Sequence, residues 1–352
     1  MKQIIKRGSF FTLMFMLLGC LSLYAADNDL ITKQITIQLE KAGTLPDRIG
    51  SSKKYKITNL KIIGEINGTD LKMIYEMVRG SYNDGKLYDG KLSVLDLSEA
   101  RIVGGGDCYY KDLKSYYTSN DVIGSYAFHD CRELTSLTLP AGITSIDDKA
   151  FYGCSGLTSL TLPAGITSIG DEAFRDCSGL TSLTLPAGIT EISDGAFWDC
   201  SGLTSLNLPA GITSIGRFAF CGCSGLTSLN LPAGITWIGG EAFWGCSGLT
   251  SIYVYAEKVP RIDSNAFGGF DAKKCTLYVP MGTYDDYWLS GFGDYFENIV
   301  EFDATGIDKT TTSTDVEEVA RYSVNGQRLS APTKGLNIVK YSDGSVRKVA
   351  VR

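Results

Sequence analysis

The chain has 352 residues, 44% of them hydrophobic and 20% charged, with a net charge of −6 and a single histidine. That composition excludes a disordered chain, and an acidic balance argues against a nucleic-acid binder, because phosphate recognition needs a basic face. One histidine also leaves little material for a catalytic or metal-binding constellation.

In chain order, Lys2, Lys6 and Arg7 precede an apolar run over residues 10–23, and Ala25-Ala26 stand before Asp27. Residues 1–26 therefore read as an export signal. No later apolar run is long enough to cross a bilayer, so the mature chain is expected to have no transmembrane span. Leu17-Leu18-Gly19-Cys20 also resembles a bacterial lipobox, which would place a lipid on Cys20. The apolar run continues past Cys20, which favours simple cleavage near Ala25 or Ala26. Residues 27–118 follow no period and are read as an N-terminal cap. Residues 70–79 have helical spacing, and Leu92-Ser-Val-Leu-Asp-Leu97 echoes a strand found later. Gly104-Gly-Gly-Asp107 lacks the Lys-Ser/Thr pair and the strand–helix context of a phosphate loop.

Residues 119–272 repeat. Cys131, Cys154, Cys177, Cys200, Cys223 and Cys246 are spaced 23 residues apart, and the surrounding pattern moves with them. Such a period predicts a solenoid of stacked units. Within one unit, Leu160 and Leu162 alternate with Ser159 and Thr161 as in a strand, and Pro163 stops it. Ala164-Gly165 turn the chain, and Ile166 and Ile169 mark a second extended piece. Asp171-Glu172-Ala173-Phe174 has the look of one helical turn with acids at its start, where the dipole favours them. The inward set is Leu157, Leu160, Leu162, Ile166, Ile169, Phe174 and Cys177. Burying the six large groups contributes about 10–15 kcal/mol. Ordering the backbone costs about 1–2 kcal/mol per residue, which is more, so a unit holds only when stacked on neighbours. The cysteines read as a column of buried apolar thiols. Only Cys221-Gly-Cys223 approaches metal-ligand spacing, and it lacks partners.

Residues 273–302 form a C-terminal cap rich in aromatic residues. Residues 303–317, small and polar, are a linker. Residues 318–352 carry Asn325-Gly326 and Asp343-Gly344 between alternating strands and predict a small β-domain of hairpins. The fold class is thus a repeat solenoid, mostly β with short helical turns, with caps at both ends and a small C-terminal β-domain.

The unit L-x-x-L-x-L-P, I-x-x-I-G, A-F-x-x-C resembles the BspA-like, or Treponema-type, leucine-rich repeat family over residues 120–302. Residues 28–118 resemble the segment that precedes such repeats in bacterial surface proteins. Gly165 stands where the ordinary leucine-rich repeat has its Asn or Cys ladder, so a smooth horseshoe with an asparagine ladder is not expected. The resemblance implies an exported protein at the cell exterior or outer-membrane surface that adheres to host or bacterial partners. The C-terminal module resembles the sorting domain of type IX secretion in Bacteroidetes-type bacteria. That implies passage across the outer membrane, the alternative being a terminal β-domain without a sorting role.

Binding is expected where the repeat varies. The residue after each repeat Phe runs His129, Tyr152, Arg175, Trp198, Cys221, Trp244, one per coil, and these are types found at interface hot spots. Tyr152, Arg175, Trp198 and Trp244 form the expected partner-binding stripe, with Trp237, which breaks the Thr-Ser-Ile pattern, as an extension. The alternative is that these side chains fold down and cover the surface. A second candidate is the outward strand face, where Ser136, Thr138, Ser159, Thr161, Ser182, Thr184, Ser205, Asn207, Ser228 and Asn230 form an uncharged polar array, either a solvated face or a hydroxyl ladder that matches ice or a glycan. No nucleophile–base pair, paired catalytic carboxylates or cofactor loop is legible, so no enzyme activity, cofactor or metal is expected. The expected partner is a protein of host matrix or bacterial surface, with a glycan as the alternative.

Overall fold

A computed structural model of the chain describes residues 30–83, 86–304, 318–323, 328–331, 334–341 and 346–351. The export segment with Cys20, Ala25 and Ala26, most of the linker, and the turns at Asn325-Gly326 and Asp343-Gly344 lie outside the described residues. The chain divides into two units, one ending at Ala304 and one spanning Thr305–Arg352.

The first unit is a solenoid whose coils each have two strand sides and a turn side. On the first side Leu160 pairs with Leu137, Leu206 with Leu183 and Leu229 with Ile252, all parallel and in register. Equivalent leucines therefore stand over one another. The alternation expected of Ser159–Thr161 holds: Leu160 is buried and its two neighbours are exposed. The second side stacks Ser145–Ile146, Ser168–Ile169, Glu191–Ile192, Ser214–Ile215, Trp237–Ile238 and Arg261–Ile262, again in parallel. Both sheets are interrupted between the coils of Leu160 and Leu183. The turn side continues across the gap, with the Phe174 N–H donating to the Ala196 carbonyl at 2.8 Å.

The turn side corrects one expectation. Asp171–Phe174 is not a helical turn. Glu172 has φ 52° and Asp176 φ 59°, and equivalent residues in other coils share this left-handed conformation, which a right-handed helix does not admit. The segment is a run of overlapping turns. The Arg175 N–H donates to the Glu172 carbonyl at 3.1 Å, while those of Glu172, Phe174 and Asp176 donate to the next coil at 2.8–2.9 Å. Backbone groups thus alternate between closing their own turn and tying adjacent coils. Short helices occur instead in the flanking regions, at Leu45–Ile49, Gly68–Arg79 and Tyr284–Trp288.

Two columns fill the interior. Phe128, Phe151, Phe174, Phe197, Phe220, Phe243 and Phe267 stack with centroids 5.1–5.4 Å apart and near-parallel planes. Beside them the thiols of Cys154, Cys177, Cys200, Cys223 and Cys246 each donate to the Phe carbonyl of the preceding coil, as Cys177 Sγ does to Phe151 O at 3.2 Å. The nine described cysteines are all free. No asparagine ladder is needed, because threonines serve the corner: Thr204 Oγ1 donates to the Thr181 carbonyl at 3.2 Å, and the bond recurs along the column.

The N-terminal region is more than a lid. Ile35–Gln38, Asn59–Ile66 and Val94–Ile102 continue the first sheet, in parallel, into Ser136–Thr138. The helix Gly68–Arg79 carries a capping box between Asn67 and Asp70. Asp70 is fully buried, and its carboxylate accepts from the N–H groups of Gly43, Leu45 and Asn67 at 2.5–2.9 Å. At the other end Thr276–Pro280 and Asn298–Phe302 extend the sheet. Buried Phe292 and Phe296 close the core against Phe267 at 5.7 and 5.1 Å. The second unit is a four-stranded antiparallel sheet formed by Glu318–Ser323, Arg328–Leu329, Gly335–Tyr341 and Val346–Val351.

Candidate binding surface

The position after each repeat Phe faces away from the core because the Phe beside it faces inward. One such side chain per coil makes a column on the turn side. His129 stacks on Tyr152 at 5.1 Å. The Arg175 guanidinium lies 5.5 Å from the Tyr152 ring centroid and 3.7 Å from that of Trp198. Trp198 in turn stacks on Phe218 at 5.1 Å. The predicted residues Tyr152, Arg175 and Trp198 are therefore in mutual contact, and all three are half-buried. Trp244 is 39% exposed. Its indole rests on a glycine pair: a Cβ on Gly268 would stand 2.4 Å from the ring.

Trp237 is placed elsewhere. It belongs to the second strand side, paired with Ser214 and Arg261, and its indole N–H donates to Asp263 Oδ2 at 3.1 Å. Among the described residues it makes no ring contact with Trp198 or Trp244.

Charge is arranged around the column. Arg175 pairs with Glu172 at 3.1 Å and Asp176 at 3.6 Å, and Glu172 also meets Lys149 at 3.5 Å. Burial pushes the His129 imidazole below its ordinary pKa, against the opposing pull of Asp130. Burial likewise holds the carboxyl of Asp199 above the usual range, with Asp176 adding to it. The Cys221 thiol is pushed up to about 11 by burial and by Asp199 and Glu241.

The structure also shows what the repeat alone concealed. Tyr110, on the strand Gly105–Lys111, stacks on Tyr126 at 4.8 Å and meets His129 at 5.6 Å, so the aromatic column runs on into the N-terminal region. Tyr126 and Phe218 occupy the left-handed position two residues before the repeat Phe. Bulky residues at that second variable position were the available signal. The outward strand face is as expected, with Ser136, Thr138, Ser159, Thr161, Ser182 and Thr184 exposed, as are Ser205, Asn207, Ser228 and Asn230. Among the described residues, no group of three or more His, Cys, Asp or Glu could hold a metal ion, and no helix is long and apolar enough to span a membrane.

The repeat region is similar to known proteins. The family model described as BspA type leucine rich repeat region, in six copies, matches residues 107–215 and 190–290. Among solved structures, a T. pallidum leucine-rich repeat protein is 26% identical over 47% of this chain and 73% of its own, with a TM-score of 0.39. A leucine-rich repeat protein from Bacteroides ovatus is 20% identical over 64% of this chain and 67% of its own, with a TM-score of 0.33. A leucine-rich cell surface protein from Faecalibacterium prausnitzii is 23% identical over 58% of this chain and 68% of its own, with a TM-score of 0.35. No curated protein sequence matches the chain. With the repeat, its coil geometry and the family match in agreement, the chain belongs to the BspA-type leucine-rich repeat family.

Proposed function

We propose that this is an exported bacterial surface protein whose solenoid binds protein partners of the host matrix or of other bacteria. The observation that carries the reading is the turn-side column of Tyr152, Arg175 and Trp198, in contact with one another, with exposed Trp244 two coils beyond Trp198. Rigid aromatic and guanidinium groups held in one file lose little freedom on binding and supply most of the energy at protein interfaces. A solenoid also offers extended area without a pocket for chemistry, which supports a binding rather than an enzymatic role. The basic and apolar start of the chain supports export, and the C-terminal four-stranded unit serves as the sorting signal in this account.

A second reading, a glycan-associated envelope protein, is favoured by the exposed hydroxyl and carboxamide face. That face ends on Tyr253 and Tyr278, stacked at 4.3 Å in register with Asn230.

The test is binding of the full chain to a panel of immobilised matrix proteins and envelope polysaccharides. The double variant Trp198→Ala/Trp244→Ala should lose a protein partner while keeping its circular dichroism spectrum. Thr161→Ala/Thr184→Ala should not. The reverse pattern favours the glycan reading.

A further inference from the structure

The first strand side of the solenoid has an open rung at each end. Among the described residues Ile35–Gln38 pairs only with Asn59–Ile66, and Asn298–Phe302 only with Thr276–Pro280. Each end therefore presents one row of backbone N–H and C=O groups outside the ladder, the feature that invites a further strand.

The apolar interior reaches the surface at both ends. Ile35 stands in register with Leu60 and Ile37 with Ile62. Leu60 and Ile62 are fully buried, whereas Ile35 and Ile37, with Ile31 before them, are only half-buried, because among the described residues no coil stacks on their outer side. Leu30 is exposed beside them. At the other end Met281, Tyr284, Trp288 and Leu289 are exposed, Leu289 to 83%. Grouped apolar exposure of this kind marks an interaction surface.

Charge selects which end meets which. The first coil, residues 30–57, carries six basic side chains against two acidic ones, and the last, residues 281–303, carries six acidic and none basic. Lys54 is paired with Glu76 and Glu297 with Lys273, which leaves an excess of opposite sign at the two ends. Lys33 and Lys41 are exposed at one, Asp285 and Asp286 at the other. Two like ends repel and two unlike ends attract, so a symmetric pair through either end is disfavoured. Strand direction agrees. The rungs at both ends run parallel to their neighbours, so a second copy set down as the next coil brings its own Ile35–Gln38 to Asn298–Phe302 in the same parallel sense.

We propose that copies of this chain join end to end, Ile35–Gln38 of one copy adding as a parallel strand beside Asn298–Phe302 of another. The join covers the half-buried isoleucines and sets Lys33 and Lys41 near the acidic last coil. The contact is heterologous, so it repeats from copy to copy instead of stopping at a pair. It goes beyond the proposed partner-binding role, whose turn-side column takes no part in it.

The test is sedimentation velocity on the chain from Asp27, which keeps every described element. The mass should rise with concentration past that of a dimer, and salt should oppose the rise. Lys33→Glu/Lys41→Glu makes both ends acidic, and Asp285→Lys/Asp286→Lys weakens the acidic end with two cations. Each variant alone should associate at least tenfold more weakly, and an equal mixture of the two should recover association, because the reversed end of one now suits the reversed end of the other. Leu30→Ser/Leu289→Ser alters only exposed side chains and should also weaken association about tenfold; it decides if a charge variant loses its circular dichroism spectrum. A chain that stays monomeric, a mass that stops at a dimer, or charge variants that associate as the unaltered chain does overturns the proposal. Retained binding of a protein partner in those cases leaves the role of the turn-side column standing.

Discussion

The Cys177 thiol donates to the Phe151 carbonyl of the preceding coil at 3.2 Å, and both residues are fully buried. The same carbonyl also accepts the Cys154 N–H at 3.1 Å, so one oxygen closes its own turn and anchors the next coil. Cys177→Ala loses this donor and leaves a small void. It should cost about 1–2 kcal/mol, read as a lowered urea midpoint.

The phenylalanine column predicts a position effect. Phe197 is stacked on both sides, with Phe174 at 5.4 Å and Phe220 at 5.3 Å. Phe197→Ala should cost about 3–5 kcal/mol and break the cooperativity of unfolding, because each coil depends on its neighbours. Phe128, at the edge of the stack with one Phe neighbour, should cost less. Two-probe urea unfolding of the two variants compares them.

Thiol reactivity should follow burial. The repeat cysteines are buried, and burial pushes the thiol of Cys246 up to about 12 and that of Cys275 to about 11. Since the thiolate is the nucleophile, iodoacetamide at pH 8 should label half-exposed Cys108 in the native protein and spare the column. Labelling of all the cysteines should follow denaturation. Mass spectrometry of the digested protein reads both.

A pH effect follows from the acidic turns. Burial first, then Asp148 and Asp194, holds the Asp171 carboxyl above the ordinary range. The folded state therefore takes up this proton at higher pH than the unfolded chain, whose value is about 3.9. Stability from this group rises as pH falls through its raised folded pKa and levels off below the unfolded one. Asp171→Asn should accordingly raise Tm at pH 7 and change it little at pH 4. Thermal unfolding at the two values checks the sign.

Much of this was legible in the sequence. The 23-residue period and the alternation around Leu160 led to stacked parallel strands, because inward leucines recur at fixed register. The turn before Phe174 looks helical in sequence, because acids followed by Ala-Phe suit a helix start, whereas the left-handed Glu172 is held by bonds to the next coil, which no local pattern encodes. Of the N-terminal strands, Val94–Ile102 was announced by the Leu92–Leu97 echo of the repeat, whereas Ile35–Gln38 and Asn59–Ile66 lack the period and pair only through tertiary contact. Of the candidate surface, the column from Tyr152 to Trp198 could be anticipated from spacing alone. Tyr110, from outside the repeat, and the displacement of Trp237 to another side could not.

The central claim is that partners are met by the turn side and not by the strand face. Hydrogen–deuterium exchange of the full chain, free and bound to a protein partner, tests it most directly. The account predicts new protection at the backbone amides around Trp198, Gly222 and Trp244, with Ser159–Thr161 and Ser182–Thr184 unchanged. Protection confined to those strands, with the turn side unaltered, would contradict it.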